Sequence, residues 1–210
     1  MTKAVFFDVD GTLLDTTEYI YQAFDHSLNH YKHPLVSRQI MQLSVGKPLE
    51  DCYRDFTKLE KVVNLMEHHK EFQRHNVELV KAYPHTVSTL EHLRSKGMSI
   101  AAITSRSKES TIKSLQYAEV YPLIDYFVAL EDVATPKPDP EGVLKAMNFF
   151  SVQSHEVIMV GDSPVDVEAG RNAKTRTIGA SYGFHGERIR ESLPDMVIKD
   201  ISELISFIGE

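Results

Sequence analysis

A chain of 210 residues with 42% hydrophobic content can bury a full core, and it fits one α/β domain carrying an insertion better than two equal domains. Its formal charge of −7, from 30 acidic against 23 basic residues without a basic block, argues against nucleic acid and anionic membrane as partners. No stretch approaches the roughly 18 apolar residues of a membrane span, and only a short apolar run precedes Asp8, so a cytoplasmic location is expected.

The first element is the apolar run Ala4-Val5-Phe6-Phe7, which reads as a buried strand. Asp8-Val9-Asp10-Gly11-Thr12 follows directly and sets two carboxylates two positions apart, where an open α/β sheet holds its chemistry. Side chains at i and i+2 share a face of an extended chain, and Gly11 allows it to turn at once. Two carboxylates in one crevice repel unless one takes up a proton or a hard divalent ion such as Mg²⁺ lies between them. Taken alone, the run also fits a strand followed by a polar turn.

A helix is predicted from near 16 to just before Pro34, with Asp15 three residues ahead of Glu18 in a variant of the capping box. A second helical pattern covers about 37 to 43, a third begins near Pro48, and a longer one runs through Leu59, Val62, Val63 and Met66 towards Val80. No strand pattern appears between 15 and 82. The expected organisation is therefore an all-helical domain, 15–82, inserted into an α/β domain made of 1–14 and 83–210.

Within the insert, Val45-Gly46-Lys47-Pro48-Leu49 interrupts the helices with a Gly, a Pro and a cation. Lys47 reads equally as a surface lysine in a turn and as a contact to a second anionic group. Adjacent residues on a helix point in different directions, so His68-His69 and His75 read as a solvated face. The one cysteine, Cys52, has no partner for a disulfide or a zinc site and reads as a packed small hydrophobe.

From Tyr83-Pro84 the pattern is βα repetition. A helix through Val87, Leu90 and Leu93 stops at Gly97, and strand 98–103, helix 108–117, strand 126–130 and helix 140–150 follow. Strand 156–160, helix 164–173 and strand 175–178 come next, then a short helix near 187–192, an edge strand Met196 to Ile198 and a last helix bearing Leu204 and Ile208. Such repetition calls for a parallel sheet with helices on both faces.

Three strand ends carry polar residues. Thr104-Ser105-Arg106 places hydroxyls and backbone N–H groups at a helix start, which suits a phosphate and also ordinary capping. Thr135-Pro136-Lys137-Pro138-Asp139-Pro140 holds one lysine between two prolines, which limit where its ammonium can go. Gly161-Asp162-Ser163-Pro164-Val165-Asp166 repeats the order of apolar strand, turn and acids, and three carboxylates suit one Mg²⁺ that also binds a substrate phosphate.

Together, Asp8-x-Asp10-Gly11-Thr12, Thr104, Lys137 and Gly161-Asp162-x-x-x-Asp166 resemble, in order and spacing, the four motifs of the haloacid dehalogenase superfamily of phosphohydrolases. The resemblance spans residues 4 to about 185. It implies a Rossmann-like parallel sheet with an inserted α-helical cap, and hydrolysis of a small phosphorylated metabolite through a phosphoaspartyl intermediate. Asp8 would be the nucleophile and Asp10 the general acid and base, while Thr104 and Lys137 would hold the phosphoryl oxygens.

The implied Mg²⁺ ligands are Asp8, Asp162 and the backbone carbonyl of Asp10, with Asp166 a ligand or an orienting group. Gly11, Thr12, Ser105 and Arg106 would surround the phosphate, and Gly46 and Lys47 would meet the rest of the substrate. The loop Val45 to Leu49 resembles the cap loop of phosphoglycolate phosphatases and related pyrophosphatases. A phosphoglycolate-like phosphomonoester is the favoured substrate, with pyrophosphate or a phosphonate as alternatives. Asp10 favours phosphate over carbon–halogen chemistry, and the presence of Asp8, Asp10, Lys137 and Asp162 disfavours a non-enzymatic binding protein. A monomer or a homodimer is expected. Two positions depart from the pattern: Lys174 stands where relatives usually place Gly, and Leu193-Pro194-Asp195 replaces a common Gly-Ala-Asp.

Overall fold

The computed structural model describes residues 1–208. Six strands form one sheet in the order β5-β4-β1-β6-β7-β8, all parallel: β1 (Ala4–Phe7), β4 (Ser99–Ile103), β5 (Tyr126–Val128), β6 (Val157–Gly161), β7 (Arg176–Ala180) and β8 (Met196–Ile198). The two middle strands, β1 and β6, are apolar throughout because both faces are covered. In β1, Val5 and Phe7 enter one hydrophobic cluster and Ala4 and Phe6 the other. Neighbours follow the same alternation, with Ile100 and Ile158 on the first face and Ile103 and Met159 on the second.

The flanking helices are α5 (Thr86–Ser95), α6 (Lys108–Tyr117), α7 (Glu141–Phe150), α8 (Pro164–Asn172) and α9 (Glu203–Ile208). The α/β class expected from the repetition is the observed one. Among the described residues no helix is long and apolar enough to cross a membrane.

Between β1 and α5 lie four helices, α1 (Thr17–His30), α2 (Arg38–Ser44), α3 (Leu49–Thr57) and α4 (Val63–His75). Their core is aromatic: the Phe24 ring meets Tyr53, Phe56 and His69 edge-on, at centroid distances of 5.3, 5.1 and 4.7 Å. Cys52 is buried, as its lack of partners led one to expect.

The segment differs from expectation in four places. Two short strands were not foreseen: β2 (Leu14–Asp15) pairs antiparallel with β3 (Lys81–Ala82), so both chain passages into the helices run side by side. Two residues are too few for an alternation to show. The helix read from Leu59 towards Val80 is shorter, because Lys58 takes φ +59 and Leu59 faces solvent; α4 covers only Val63–His75, and a 3₁₀ turn, Val77–Leu79, follows. Asp15 accepts from the Thr17 N–H at 3.1 Å and does not form the expected box with Glu18. His69 is buried, not solvated, with Nδ1 3.0 Å from the Tyr53 hydroxyl.

Outside the insert, β5 ends at Val128 because a 3₁₀ turn, Leu130–Asp132, closes on it, with Asp132 accepting from the Ala129 N–H. The segment expected as a short helix near 187–192 is also a 3₁₀ turn, Gly186–Ser192.

Candidate active site

The ends of β1, β4 and β6 meet at one edge of the sheet. Asp8 stays in register with β6 through its N–H to the Val160 carbonyl (2.9 Å), and Thr104 likewise donates its N–H to Val128 (2.9 Å). After Asp10 the chain turns at Gly11 (φ +86), whose N–H donates to the Leu14 carbonyl (2.8 Å). Beyond β6, Ser163 opens α8 and donates both N–H (3.0 Å) and Oγ (2.5 Å) to Asp166 Oδ2, two bonds that fix this carboxylate.

Lys137 reaches under these ends. Its ammonium donates to Asp8 Oδ1 (2.5 Å), Asp166 Oδ1 (2.6 Å) and the Ile103 carbonyl (3.1 Å), so all three protons are used. Asp162 Oδ2 accepts from the Phe184 N–H at 2.6 Å. One ligand oxygen each from Asp8, Asp162 and Asp166 lies within 4.8 Å of the others, and all three residues are buried.

Three buried acids cluster where one buried ammonium pairs with only two of them, Asp8 and Asp166, and the electrostatics follow from that. Burial raises the Asp8 carboxyl to about 7; Lys137 opposes the rise, and Asp166 and Asp10 add to it. Burial and then the charges of Asp8 and Asp166 hold Asp162 well above the ordinary carboxylate range. Burial pulls Lys137 down, but Asp166 and Asp8 outweigh it and the ammonium is stabilised. The donor set is all oxygen, and its excess negative charge is what a hard divalent cation would neutralise. Close backbone packing completes the cradle: a Cβ on Gly11 would lie 2.3 Å from Asp162 Oδ2, and one on Gly183 would lie 2.2 Å from the Gly11 carbonyl.

A cavity of about 390 Å³ opens between this edge and the four helices. Asp8, Asp10, Thr104, Ser105 and Arg106 line it on the sheet side; Gly46, Lys47, Phe24, Met66 and His69 line it on the helical side. The Ser105 hydroxyl is buried without a protein partner among the described residues. Thr104 Oγ1 accepts from the Arg106 N–H at 3.1 Å.

The remaining residues singled out by the sequence are placed differently from one another. Arg106, expected beside a phosphate, extends its guanidinium to Asp10 Oδ1 at 2.7 Å. Lys47 pairs with Asp55 at 2.9 Å, and both side chains are about half exposed. Gly46 comes against Ser163, where a Cβ would lie 2.8 Å from the hydroxyl. Gly11 and Thr12 are not among the cavity-lining residues: Gly11 supports Asp162, and Thr12 is wholly buried with its carbonyl accepting from the Tyr182 hydroxyl.

Three participants carry no motif in the sequence. Phe184 holds Asp162 through its N–H, Gln42 of α2 donates its side-chain amide to the Phe184 carbonyl, and Tyr19 of α1 lies against Arg106. Only the fold brings them to the site.

Comparison with known proteins agrees with this geometry. The haloacid dehalogenase-like hydrolase family matches residues 5–180. A pyrophosphatase PpaX of Halalkalibacterium halodurans is 33% identical over 210 residues, covering 99% of this chain and 97% of that protein. A second protein of that name, from Bacillus mycoides, is 31% identical with coverage of 99% and 97%. Among solved structures, a protein described as a putative haloacid dehalogenase-like hydrolase from Bacteroides fragilis superposes with a TM-score of 0.88 at 25% identity, covering 97% of this chain and all of that one. A predicted phosphoglycolate phosphatase from Haemophilus somnus shares the fold, with a TM-score of 0.92 at 20% identity and coverage of 99% and 98%. With a family match across most of its length and relatives above 30% identity along the whole of it, the chain belongs to the haloacid dehalogenase-like hydrolases.

Proposed function

We propose that this hydrolase is a Mg²⁺-dependent phosphatase that removes the phosphoryl group of a small phosphate compound through an aspartyl phosphate on Asp8. The observation that carries the reading is the cluster of three buried carboxylates, Asp8, Asp162 and Asp166, two of which, Asp8 and Asp166, are paired with one buried ammonium beside a cavity. Mg²⁺ would be held by Asp8, Asp162 and the Asp10 carbonyl, and when bound it would offset the charge of the phosphoryl oxygens. Both oxygens of Asp166 already accept hydrogen bonds, from Lys137 and from Ser163, which supports an orienting role for Asp166 over direct ligation.

The chemistry belongs to two carboxylates. The Asp8 oxygen not held by Lys137 attacks phosphorus in line with the leaving oxygen, so the new P–O bond forms as the old one breaks. Asp10 gives a proton to the departing oxygen, then takes one from the water that attacks the aspartyl phosphate and frees inorganic phosphate. Thr104 and the unpartnered Ser105 hydroxyl supply donors for the phosphoryl oxygens, and the Lys137 ammonium, committed to Asp8, Asp166 and the Ile103 carbonyl, offsets their charge from behind. Residues 15–82 would act as a cap, with β2 and β3 as its two adjoining connections, closing over the cavity to exclude bulk water.

Inorganic pyrophosphate is the first substrate reading, supported by the full-length relatives that bear that name. A small phosphomonoester of the phosphoglycolate type is the second. It is supported by Lys47 in the cavity wall, whose exposed pair with Asp55 is weak enough for a second anionic group of a substrate to displace. Phosphate release with Mg²⁺ is to be measured over pyrophosphate, phosphoglycolate, sugar phosphates and a phosphonate. Asp8→Asn run alongside is expected to lose on the order of 10³-fold or more in kcat. A substantially active Asp8→Asn protein would overturn the mechanism.

A further inference from the structure

We propose that Arg106 is a positioning residue for Asp10, and that Tyr19 makes this positioning depend on how the inserted helices are seated. The inference rests on the acid and base role given to Asp10 above. Arg106 follows Thr104 and Ser105 at the end of β4, a place from which a cation would be expected to face a phosphate. Its side chain is instead largely buried, and its two terminal nitrogens are committed: Nη1 donates to Asp10 Oδ1 at 2.7 Å and Nη2 to Ser114 Oγ of α6 at 3.1 Å.

The guanidinium carbon lies 5.2 Å from the centroid of the Tyr19 ring, within cation–π range. Tyr19 belongs to α1, and its hydroxyl donates to the Gln73 carbonyl of α4 at 3.2 Å. A separate contact ties the same elements together, since Lys113 of α6 donates to the Arg74 carbonyl at 2.6 Å. One planar cation thus touches the carboxylate after β1, a helix of the α/β part and a helix of the insert.

A guanidinium held at two nitrogens and stacked on a ring has its plane fixed, and it passes that fixity to whatever it binds. Asp10 Oδ1 is occupied by this contact. Oδ2 has no protein hydrogen-bond partner among the described residues and is the oxygen left for proton transfer in the cavity that Asp10 lines. Lysine has the charge but neither the fork nor the stacking plane. If α1 is lifted, Arg106 loses its platform and Asp10 its angle, so the acid and base is fully set only when the helices are seated.

The test separates steps that need a proton from one that does not. A primary alkyl phosphate needs Asp10 to protonate its leaving oxygen, whereas p-nitrophenyl phosphate releases a phenolate that leaves unaided. Full-length wild type, Asp10→Asn, Arg106→Lys and Tyr19→Leu, all with Mg²⁺, are compared by kcat on the alkyl phosphate and by the pre-steady-state burst of p-nitrophenol. Arg106→Lys is expected to lose on the order of 10²-fold in kcat on the alkyl phosphate, the scale of misplaced acid and base catalysis, while its burst rate changes by less than about threefold. Tyr19→Leu should shift the same ratio in the same direction by a smaller factor.

Asp10→Asn is the reference. If it shows the selective loss and Arg106→Lys does not, with thermal unfolding showing that Arg106→Lys is folded, the positioning role is wrong while the acid and base reading stands. If Asp10→Asn loses both activities equally, the acid and base reading itself is wrong and this inference falls with it. Equal losses on both substrates in Tyr19→Leu would remove the link to the helices.

Discussion

Lys174 and Leu193 hold φ angles of +62 and +54, a region in which the Cβ of an L-residue crowds the following carbonyl and glycine alone is at ease. Lys174 follows α8, where its N–H donates to Arg171 at 2.9 Å and the Thr175 N–H donates to Gly170 at 3.0 Å, the closing pattern that usually employs Gly. These are the two positions at which the sequence departs from the glycines of its resemblance, and the backbone has kept the glycine conformation at both. Both side chains are exposed, so replacing them loses no core packing. Lys174→Gly and Leu193→Gly should each stabilise the protein by up to about 1 kcal/mol, or about 2–4 °C in Tm. A lower Tm in calorimetry for either variant would sink this account. At this scale the acids were legible because each follows an apolar strand, and Lys137 because a proline stands on either side of it. The partners of Arg106 were not: Tyr19 and Ser114 come from other elements, and nothing in their own neighbourhoods marks them.

Helices were legible as elements but not in their ends, and α4 shows why. Its periodicity continues upstream through Leu59, but an exposed leucine and a left-handed Lys58 break the helix where only tertiary contacts decide. The same helix turns His69 into the aromatic core between Phe24 and Tyr53, which composition alone could not distinguish from a wet face. Burial, then the charges of Arg106 and Lys70, lower its pKa from 6.5 to about 3. His69 is therefore neutral in the fold, and between about pH 6.5 and 3 the unfolded chain binds the extra proton. Its contribution to stability is present above 6.5 and is lost as pH falls through that window. His69→Gln keeps a polar partner for Tyr53 but does not titrate, so the fall in Tm from pH 7 to pH 5 should be shallower in the variant than in wild type. Parallel slopes would show that His69 does not couple to the acid limb. The strands β2 and β3 lie beyond this kind of reading altogether, since two residues carry no period and their pairing closes across the whole insert.

For the molecule as a whole, the parallel sheet sets every strand's C-terminal end on one edge, and so it collects the acids after β1 and β6 in a single buried place. This arrangement works against stability without a cation, because one ammonium faces three carboxylates. Asp8, with a carboxyl raised to about 7 by burial first, binds a proton in the folded state between about 3.8 and 7 where the unfolded chain does not. That term favours the fold at low pH and is lost as pH rises through 7. On the reading of Asp8 and Asp162 as metal ligands, Mg²⁺ takes the place of the proton, and the two compete. Mg²⁺ at about 100 times its dissociation constant should then stabilise the protein by about 2.7 kcal/mol, or about 5–10 °C in Tm at this chain length. The shift should be larger at pH 8, where Asp8 is ionised, than at pH 5, where Mg²⁺ must displace a proton, and Asp162→Asn should reduce it at both. His69 does not confuse the comparison, because its effect is the same with and without the ion. Equal shifts at the two pH values would mean that the cation binds away from Asp8, and the site would have to be sought elsewhere on the molecule.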